Sequence, residues 1–574
     1  MDIGVIGWWS YDNQGDRAML TALKKGLSPH HVIPLDVGFT AQTDTLYRLN
    51  RLDYVILGGG TLIAEKPARP FDDFDRWHNQ LHCPLGVVGL GVDPILEPYR
   101  AAANALVDQA SFFFVRDRAS HRLLNRSAVQ VAPDLTFSDP LRLSDYTHRR
   151  AQKPVCGVNV RQTFSFNPRP WLDIIAQLPM EIRGIPLSSF GSFNENALLR
   201  HLDPNCSDAY DPRLYEGLDL LIGTAFHSLV FAVQAGIPVI AISYAPKVRN
   251  YMEDIGLAQY ALAATEWDRL PEVVDKVLAE HHQLRQQLLA IRTALHRDAK
   301  QMLQEICTKI EQTGLGRERS GPLVTVIVMG SGDSEADGLT LTSCLAQTYE
   351  NTEFFFYPQA EAPDIPGAAL NERVTVMEPA SLSPYGDRLQ RAIDRSKGTY
   401  LTWLDSGDWL TEDALDCLVN RIEQDHDCDL IYADYWQTDE ENMPLSILRA
   451  PEARKLYRRN VVGPCFLVKK QILEGLDHFP ADSPLPAYSL WLQIGTHNGA
   501  KPFHAPLMYS RRRAHQREVI EVERTVRRRQ RKSQPIWSRA IGNFIDSDFC
   551  EQYLVQPIAR LSQSLGRVMR AVHE

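Results

Sequence analysis

The sequence predicts an α/β protein with two successive Rossmann-like halves, a third α/β domain and a C-terminal amphipathic helix. Three observations carry this. Strands alternate with helices from residue 3 onward, and several strands run into glycine-bearing turns. The stretch Gly217 to Lys247 is a complete strand–loop–helix–turn–strand unit. After a polar, aperiodic segment at 313–321 the alternation starts afresh at Leu323.

Length and composition set the outer limits. At about 150 residues per domain, 574 residues allow three to four domains. A net charge of −10 excludes a general binder of nucleic acid, so any anionic substrate must be met by local cations. The nine cysteines are odd in number and lack CxxC or metal-ligand spacing. That pattern favours free thiols in a reducing cytoplasm, and no metal or cofactor is expected. The chain lacks an apolar run of about eighteen residues, and its start, MDIGVIG, enters a strand without the charged-then-apolar order of a signal peptide. The expected location is therefore the cytoplasm.

Taken in order, residues 1–150 form the first half. Ile3 to Gly7 is a strand, and the turn Asp12-Asn-Gln-Gly15-Asp16 opens a helix. Further strands are expected at Tyr54 to Leu57, ending in Gly58-Gly-Gly60-Thr61, at Val87 to Gly91, and at Phe112 to Val115 before Arg116-Asp117. Glycines at these ends imply close approach of the backbone to a ligand or another domain. Asp134 and the loop at 138–153 close this half. The second half, 151–312, begins with the strand Val155 to Val160, ending in Arg161-Gln162, and finishes in a long helical stretch.

Within it, Leu218 to Ile222 is a strand, His227 falls just past its end, and Val239 to Ile242 is the next strand before Tyr244-Ala-Pro-Lys247. Ligands of open α/β sheets lie beyond the carboxyl ends of the strands, beside helix N-termini that favour anions. His227, Tyr244 and Lys247 are expected there. The competing reading is a core histidine that satisfies a backbone carbonyl.

Residues 313–321 read as a linker, 322–512 as the third domain and 513–574 as a basic, helical tail. In the tail, Leu554, Ile558, Leu561, Leu565, Val568 and Val572 recur three and four apart, with arginines between them. That helix either packs on the body, pairs with a partner helix, or lies peripherally on an anionic membrane.

Residues 1 to about 312 resemble the polysaccharide pyruvyl transferases, which have a GT-B-like fold. The resemblance rests on the Gly7–Asp16 stretch, Leu57-Gly-Gly-Gly60, Gly89-Leu-Gly91, Val115-Arg-Asp117-Arg-Ala-Ser120, Asp134, Val158-Asn-Val-Arg161 and Asp219 to Lys247. It implies transfer of the enolpyruvyl unit of phosphoenolpyruvate to a glycan or lipid-linked oligosaccharide, forming a pyruvate ketal in cell-surface or exopolysaccharide assembly. The donor carries roughly −2.5 to −3 charge, and protonating its enol carbon requires a general acid. His227 matches that acid, and Arg161 matches a donor-binding cation. Lys247 and Tyr244 lie near the expected phosphate site, and Asn13 and Asp16 are expected on the acceptor side. One departure stands out: the family has an arginine where this chain has Ala225. Either another cation replaces it (Arg161, Lys247 or Arg249), or the donor differs, or catalysis is weak. The competing functions are a non-catalytic glycan-binding scaffold and a glycosyltransferase using a nucleotide-sugar donor.

Residues 321 to about 512 resemble the family-2 glycosyltransferases, which have a GT-A-like fold, in Val324 to Val328, Leu341 to Phe354, Gly398 to Trp409 and Gly463 to Phe466. The chemistry of that family is depleted here. Tyr357-Pro-Gln-Ala360 replaces its nucleotide-holding acidic run and Leu389-Gln390 its Arg-Asn pair. Gly407 stands at the second carboxylate of its metal motif, and Pro486-Ala487 in place of its base. The third domain is therefore expected to be catalytically inactive, with Trp409, Trp436 and Trp491 available to stack on sugars.

Overall fold

A computed structural model of the protein describes residues 1–9, 13–36, 43–63, 78–95, 97–141, 153–163, 166–188, 195–317, 319, 321–359, 371, 373–379, 384–439, 442–453, 455, 460–474, 490–491, 494 and 499–511. The tail at 513–574, with its expected amphipathic helix, and Pro486-Ala487 lie outside them. The chain divides into two compact units, Met1–Glu318 and Arg319–Glu574.

The first unit holds two parallel sheets. β1 (Asp2–Gly7), β2 (His31–Asp36), β3 (Tyr54–Ile63), β4 (Leu85–Val92), β5 (Phe113–Val115) and β6 (Val129–Val131) form the first, in the order β2-β1-β3-β4-β5-β6. β7 (Val155–Asn159), β8 (Glu181–Gly184), β9 (Leu220–Gly223), β10 (Val239–Ser243) and β11 (Ala261–Ala263) form the second, in the order β11-β10-β9-β7-β8. In both, the strand order reverses once, between β1 and β3 and between β7 and β9. Such reversals open a crevice at the carboxyl edge where ligands of doubly wound sheets bind.

Four helices matter for that edge: α1 (Gln14–Gly26) after β1, α2 (Phe226–Ala235) after β9, α3 (Pro246–Asp254) after β10, and α4 (His281–Thr313). α2 is buried along most of its length, from Phe226 to Gln234, as an all-round apolar helix between sheet and neighbours must be. α4 serves both cores. Its Leu284, Leu288 and Ala299 pack with the second sheet, whereas Met302, Leu303, Ile306 and Ile310 pack with the first. A short 3-10 turn, Leu135–Ser138, lies between them, with Leu135 in one core and Phe137 in the other.

The glycine triplet behaves differently from expectation. β3 does not stop at Gly58–Gly60 but continues to Ile63. Gly59 and Gly60 adopt φ of +75° and +83°, and a Cβ on either would meet Met19 or Trp8 of the same half. The close approach that these glycines permit is thus to neighbouring side chains. None of the described cysteines forms a disulfide. No helix among the described residues is long and apolar enough to cross a membrane.

The second unit contains a seven-stranded mixed sheet and a four-stranded sheet. The strands are β12 (Val324–Met329), β13 (Thr352–Tyr357), β14 (Val374–Val376), β15 (Tyr400–Asp405), β16 (Trp409–Leu410), β17 (Leu430–Ala433), β18 (Tyr435–Thr438), β19 (Pro444–Leu448), β20 (Phe466–Lys469), β21 (Ala500–Phe503) and β22 (Met508–Arg511). The large sheet runs β14-β13-β12-β15-β20-β17-β21 and the small one β16-β22-β18-β19. Trp491, expected as a sugar platform, is instead a core residue, 2% exposed and stacked on Trp403 at 5.3 Å. Its aromatic surface is spent on packing, which corrects that expectation.

Candidate active site

The carboxyl edges of the two sheets of the first unit carry the chemistry-bearing residues. β1 leads through Asn13 into α1, β5 ends at Arg116, β7 leads to Arg161, β9 leads to His227, and β10 leads through Tyr244 to Lys247. The halves are stitched along this edge: the Gln14 amide donates to Leu187 O at 3.0 Å, and Asn13 bridges to Ser188.

Asn13 caps α1, its side-chain oxygen accepting from the Gly15 amide at 3.1 Å. Asp16, one turn in, is 8% exposed. Burial pushes its carboxyl above the usual carboxylate range, while His227, Lys247, Arg116 and Arg161 pull it the other way. All four therefore act on one buried carboxylate.

His227 is 8% exposed, in the first turn of α2. Phe226 lies edge-on to it at 5.1 Å, and its Nε2 faces Asp134 Oδ2 at 3.5 Å. On the other side the ring rests on Gly15, where a Cβ would fall 1.9 Å from Nδ1. Only a glycine leaves room for the imidazole in that position.

Lys247 is half-buried. Burial first, then Arg116 and Arg161, push its amine down to about 8, against the opposing pull of Asp16 and Asp93. Arg161 is held by a buried carboxylate: its Nε donates to Glu195 Oε1 at 2.9 Å and its Nη2 lies 2.8 Å from the same atom. Glu195 also accepts from Asn159 Nδ2 at 2.6 Å and the Leu187 amide at 2.9 Å. Arg161 is thus a fixed cation rather than a swinging one. Tyr244 packs on Phe166 at 5.5 Å, its hydroxyl pushed upward by burial.

Two crevice residues escaped the sequence reading. Arg116, noted only as part of a motif, has a side chain just 3% exposed. Its guanidinium lies 4.7 Å over the Phe226 ring and donates to Thr61 Oγ1 at 2.9 Å. Its Nε is buried and makes no hydrogen bond. Phe226 is the residue after Ala225, so this cation stands beside the position where the resembled family carries its arginine. Asp93, just past β4, is the second carboxylate, also pushed upward chiefly by burial. Conversely, Arg249 does not replace the missing arginine. It is 54% exposed and pairs with Glu253 along α3 at 3.0 Å. That i,i+4 pairing was readable from the sequence.

The crevice thus holds Arg116, Arg161 and Lys247 against Asp16 and Asp93, both of which burial drives toward the neutral form. Glu195 on Arg161 and Asp134 on His227 are further carboxylates of the same crevice. Among the described residues no cluster of three or more His, Cys, Asp or Glu side chains has a metal-holding arrangement.

In the second unit, Asp405 Oδ1 accepts from Tyr385 OH at 3.2 Å, and Asp408 is 2% exposed. Gly407 has φ of +87°, and a Cβ there would lie 3.6 Å from Arg511 Cδ. Trp409 and Trp436 both stack on Tyr509, at 5.0 and 6.3 Å.

Residues 13–246 match the family model of the polysaccharide pyruvyl transferases. No curated protein matches the sequence. Among solved structures, S. aureus TarS 1–349 in complex with UDP is similar at 13% identity and a TM-score of 0.33, over 41% of this chain and 72% of that one. S. aureus TarS 1–349 alone is similar at 16% identity and a TM-score of 0.32, over 40% and 72%. S. aureus TarS is similar at 14% and 0.33, over 40% and 43%. At those TM-scores nothing about this chain follows from them.

Proposed function

We propose that the first unit transfers the enolpyruvyl group of phosphoenolpyruvate to a glycan acceptor, giving a pyruvate ketal. The observation that carries this reading is the convergence of Arg116, Arg161, Lys247 and His227 on Asp16 at the carboxyl edges of the two sheets. The family match over residues 13–246 supports it. Phosphate and carboxylate of the donor bind the three cations. His227 protonates the methylene carbon of the enol, and the adjacent carbon becomes electrophilic. One acceptor hydroxyl adds to it, its proton restoring that of His227; phosphate leaves, and a second hydroxyl closes the ketal as its proton passes to the departing phosphate. Arg116 supplies the guanidinium that Ala225 does not.

The test is phosphate release from phosphoenolpyruvate with galactose- or mannose-terminated acceptors. Wild type is expected to turn over, and His227→Ala to lose about 10²–10⁴-fold in kcat. Unchanged turnover in His227→Ala would sink the assignment of that residue. No release with any acceptor would sink the reading as a whole.

A further inference from the structure

The pairing of His227 with Asp134 goes beyond the reading above and rests on it. His227 Nε2 and Asp134 Oδ2 face each other at 3.5 Å; both atoms are buried, and neither makes a hydrogen bond. The other carboxylate oxygen is fully engaged. Asp134 Oδ1 accepts from the Thr136 amide at 3.0 Å and from the Thr136 hydroxyl at 2.6 Å. The same hydroxyl oxygen accepts from Gln234 Nε2 at 2.8 Å. Gln234 stands seven residues beyond His227 on α2, which is two turns along the same face. One helix therefore carries the imidazole and also the amide that anchors the carboxylate opposite it. The 3-10 turn that begins after Asp134 is held from a second side by α4, where His296 Nδ1 lies 2.7 Å from Phe137 O.

A buried imidazole nitrogen and a buried carboxylate oxygen, each without another partner, are costly apart and favourable joined. Such contacts in catalytic sites are often long before substrate binds and tighten afterwards. Burial would raise the Asp134 carboxyl, but His227 and the Thr136 hydrogen bonds outweigh it and hold it below the usual carboxylate range. It is therefore an acceptor, ready for an N–H.

We propose that Asp134 is a positioning residue that accepts Nε2–H of His227 and leaves Nδ1, on the Gly15 side, as the nitrogen that delivers the proton. In a neutral imidazole one nitrogen donates and the other accepts, so engaging Nε2–H fixes the tautomer. When Nδ1 is protonated, the same carboxylate stabilises the resulting imidazolium. When that proton passes to the enol carbon, the ring returns to the held Nε2–H form.

Nitrogen-15 NMR of the histidine-labelled full-length protein, with His227→Gln to identify the resonances, tests this without relying on turnover. Neutral His227 is expected as the Nε2–H tautomer in wild type and as a mixture in Asp134→Asn. In the phosphate-release assay, Asp134→Asn should lower kcat by roughly 10²–10⁴-fold, with donor KM moving less than about threefold. Thr136→Val, which loosens Asp134 without removing its charge, should lower kcat by about tenfold, and Asp134→Glu should restore part of the loss. A wild-type Nδ1–H tautomer, an unaltered tautomer in Asp134→Asn, or kcat in that variant within about twofold of wild type would overturn the proposal. If Asp134→Asn does not fold, the wild-type tautomer and Thr136→Val decide. Absence of turnover in wild type would count against the proposed function, whereas the tautomer still decides the role of Asp134.

Discussion

The carboxyl edges of the sheets in the two units start from similar backbone and diverge in their use of charge. In the first unit five strands deliver Asp16, Arg116, Arg161, His227 and Lys247 to one crevice, where each is buried or half-buried and the other four act on Asp16. In the second, β12 and β15 pair in full parallel register from Val324–Tyr400 to Met329–Asp405, as regular as any strands in the protein. Yet the turn beyond β15 offers a carboxylate held by Tyr385, a left-handed glycine beside an arginine stem, and a buried Asp408. Apolar strands maintain an α/β frame whatever the turn residues do. Chemistry resides in those few turn residues, which can vary independently of the frame.

The comparison can be broken most sharply at Gly15. Gly15→Ala places a Cβ inside the imidazole volume, so it should displace His227 and lower kcat by at least about 10²-fold. Circular dichroism should show the fold retained. Next in size is Arg116→Met. Truncating a buried cation costs about 2–5 kcal/mol at a charged contact, so kcat/KM for the donor should fall about 30-fold or more. An effect under threefold would remove Arg116 from the donor site.

Lys247 gives a smaller effect with a distinctive pH signature. Its amine is held at about 8 in the folded protein against an ordinary 10.5, so between these values the unfolded chain binds more protons. Stability therefore rises with pH across that window, and the full cost of the buried charge is present below pH 8. Lys247→Met should raise Tm at pH 7 and lose that advantage above about pH 10.5, while weakening donor binding. Wild-type donor affinity should also fall as pH rises through 8. A lowered Tm in Lys247→Met would contradict the picture. The smallest expected signal is in the second unit. Calorimetry with UDP and manganese should show no binding of the strength of active transferases, and Gly407→Asp should not restore it. Its backbone is left-handed there, and Arg511 lies alongside.

Much of the crevice was legible because β–α alternation places residues just past strand ends on one edge. His227, Tyr244 and Lys247 follow from that rule, Arg161 was singled out by the resemblance, and Asp16 was expected on the acceptor side, whereas it lies among the cations. Arg116 obeys the same rule at the end of β5, but nothing local distinguishes a motif arginine that faces the crevice from one that faces solvent. Asp134 was marked only by the resemblance, because its partner lies ninety-three residues away along the chain. The glycine triplet was misread for a related reason: a strand can carry left-handed glycines onward when tertiary neighbours such as Trp8 and Met19 need the space. Trp491 shows that an aromatic's role is set by what packs on it, which composition does not reveal.

The long helix α4 has a mechanical consequence. At about 1.5 Å per residue, its 33 residues form a rod of about 50 Å. One portion is bedded in each core, with no loop between Ala299 and Met302. The two sheets therefore cannot part like beads on a string. Any relative motion of the two sheets has to pass through twist or flexure of that rod, and hydrogen exchange at the amides of 297–303 is where such breathing should register.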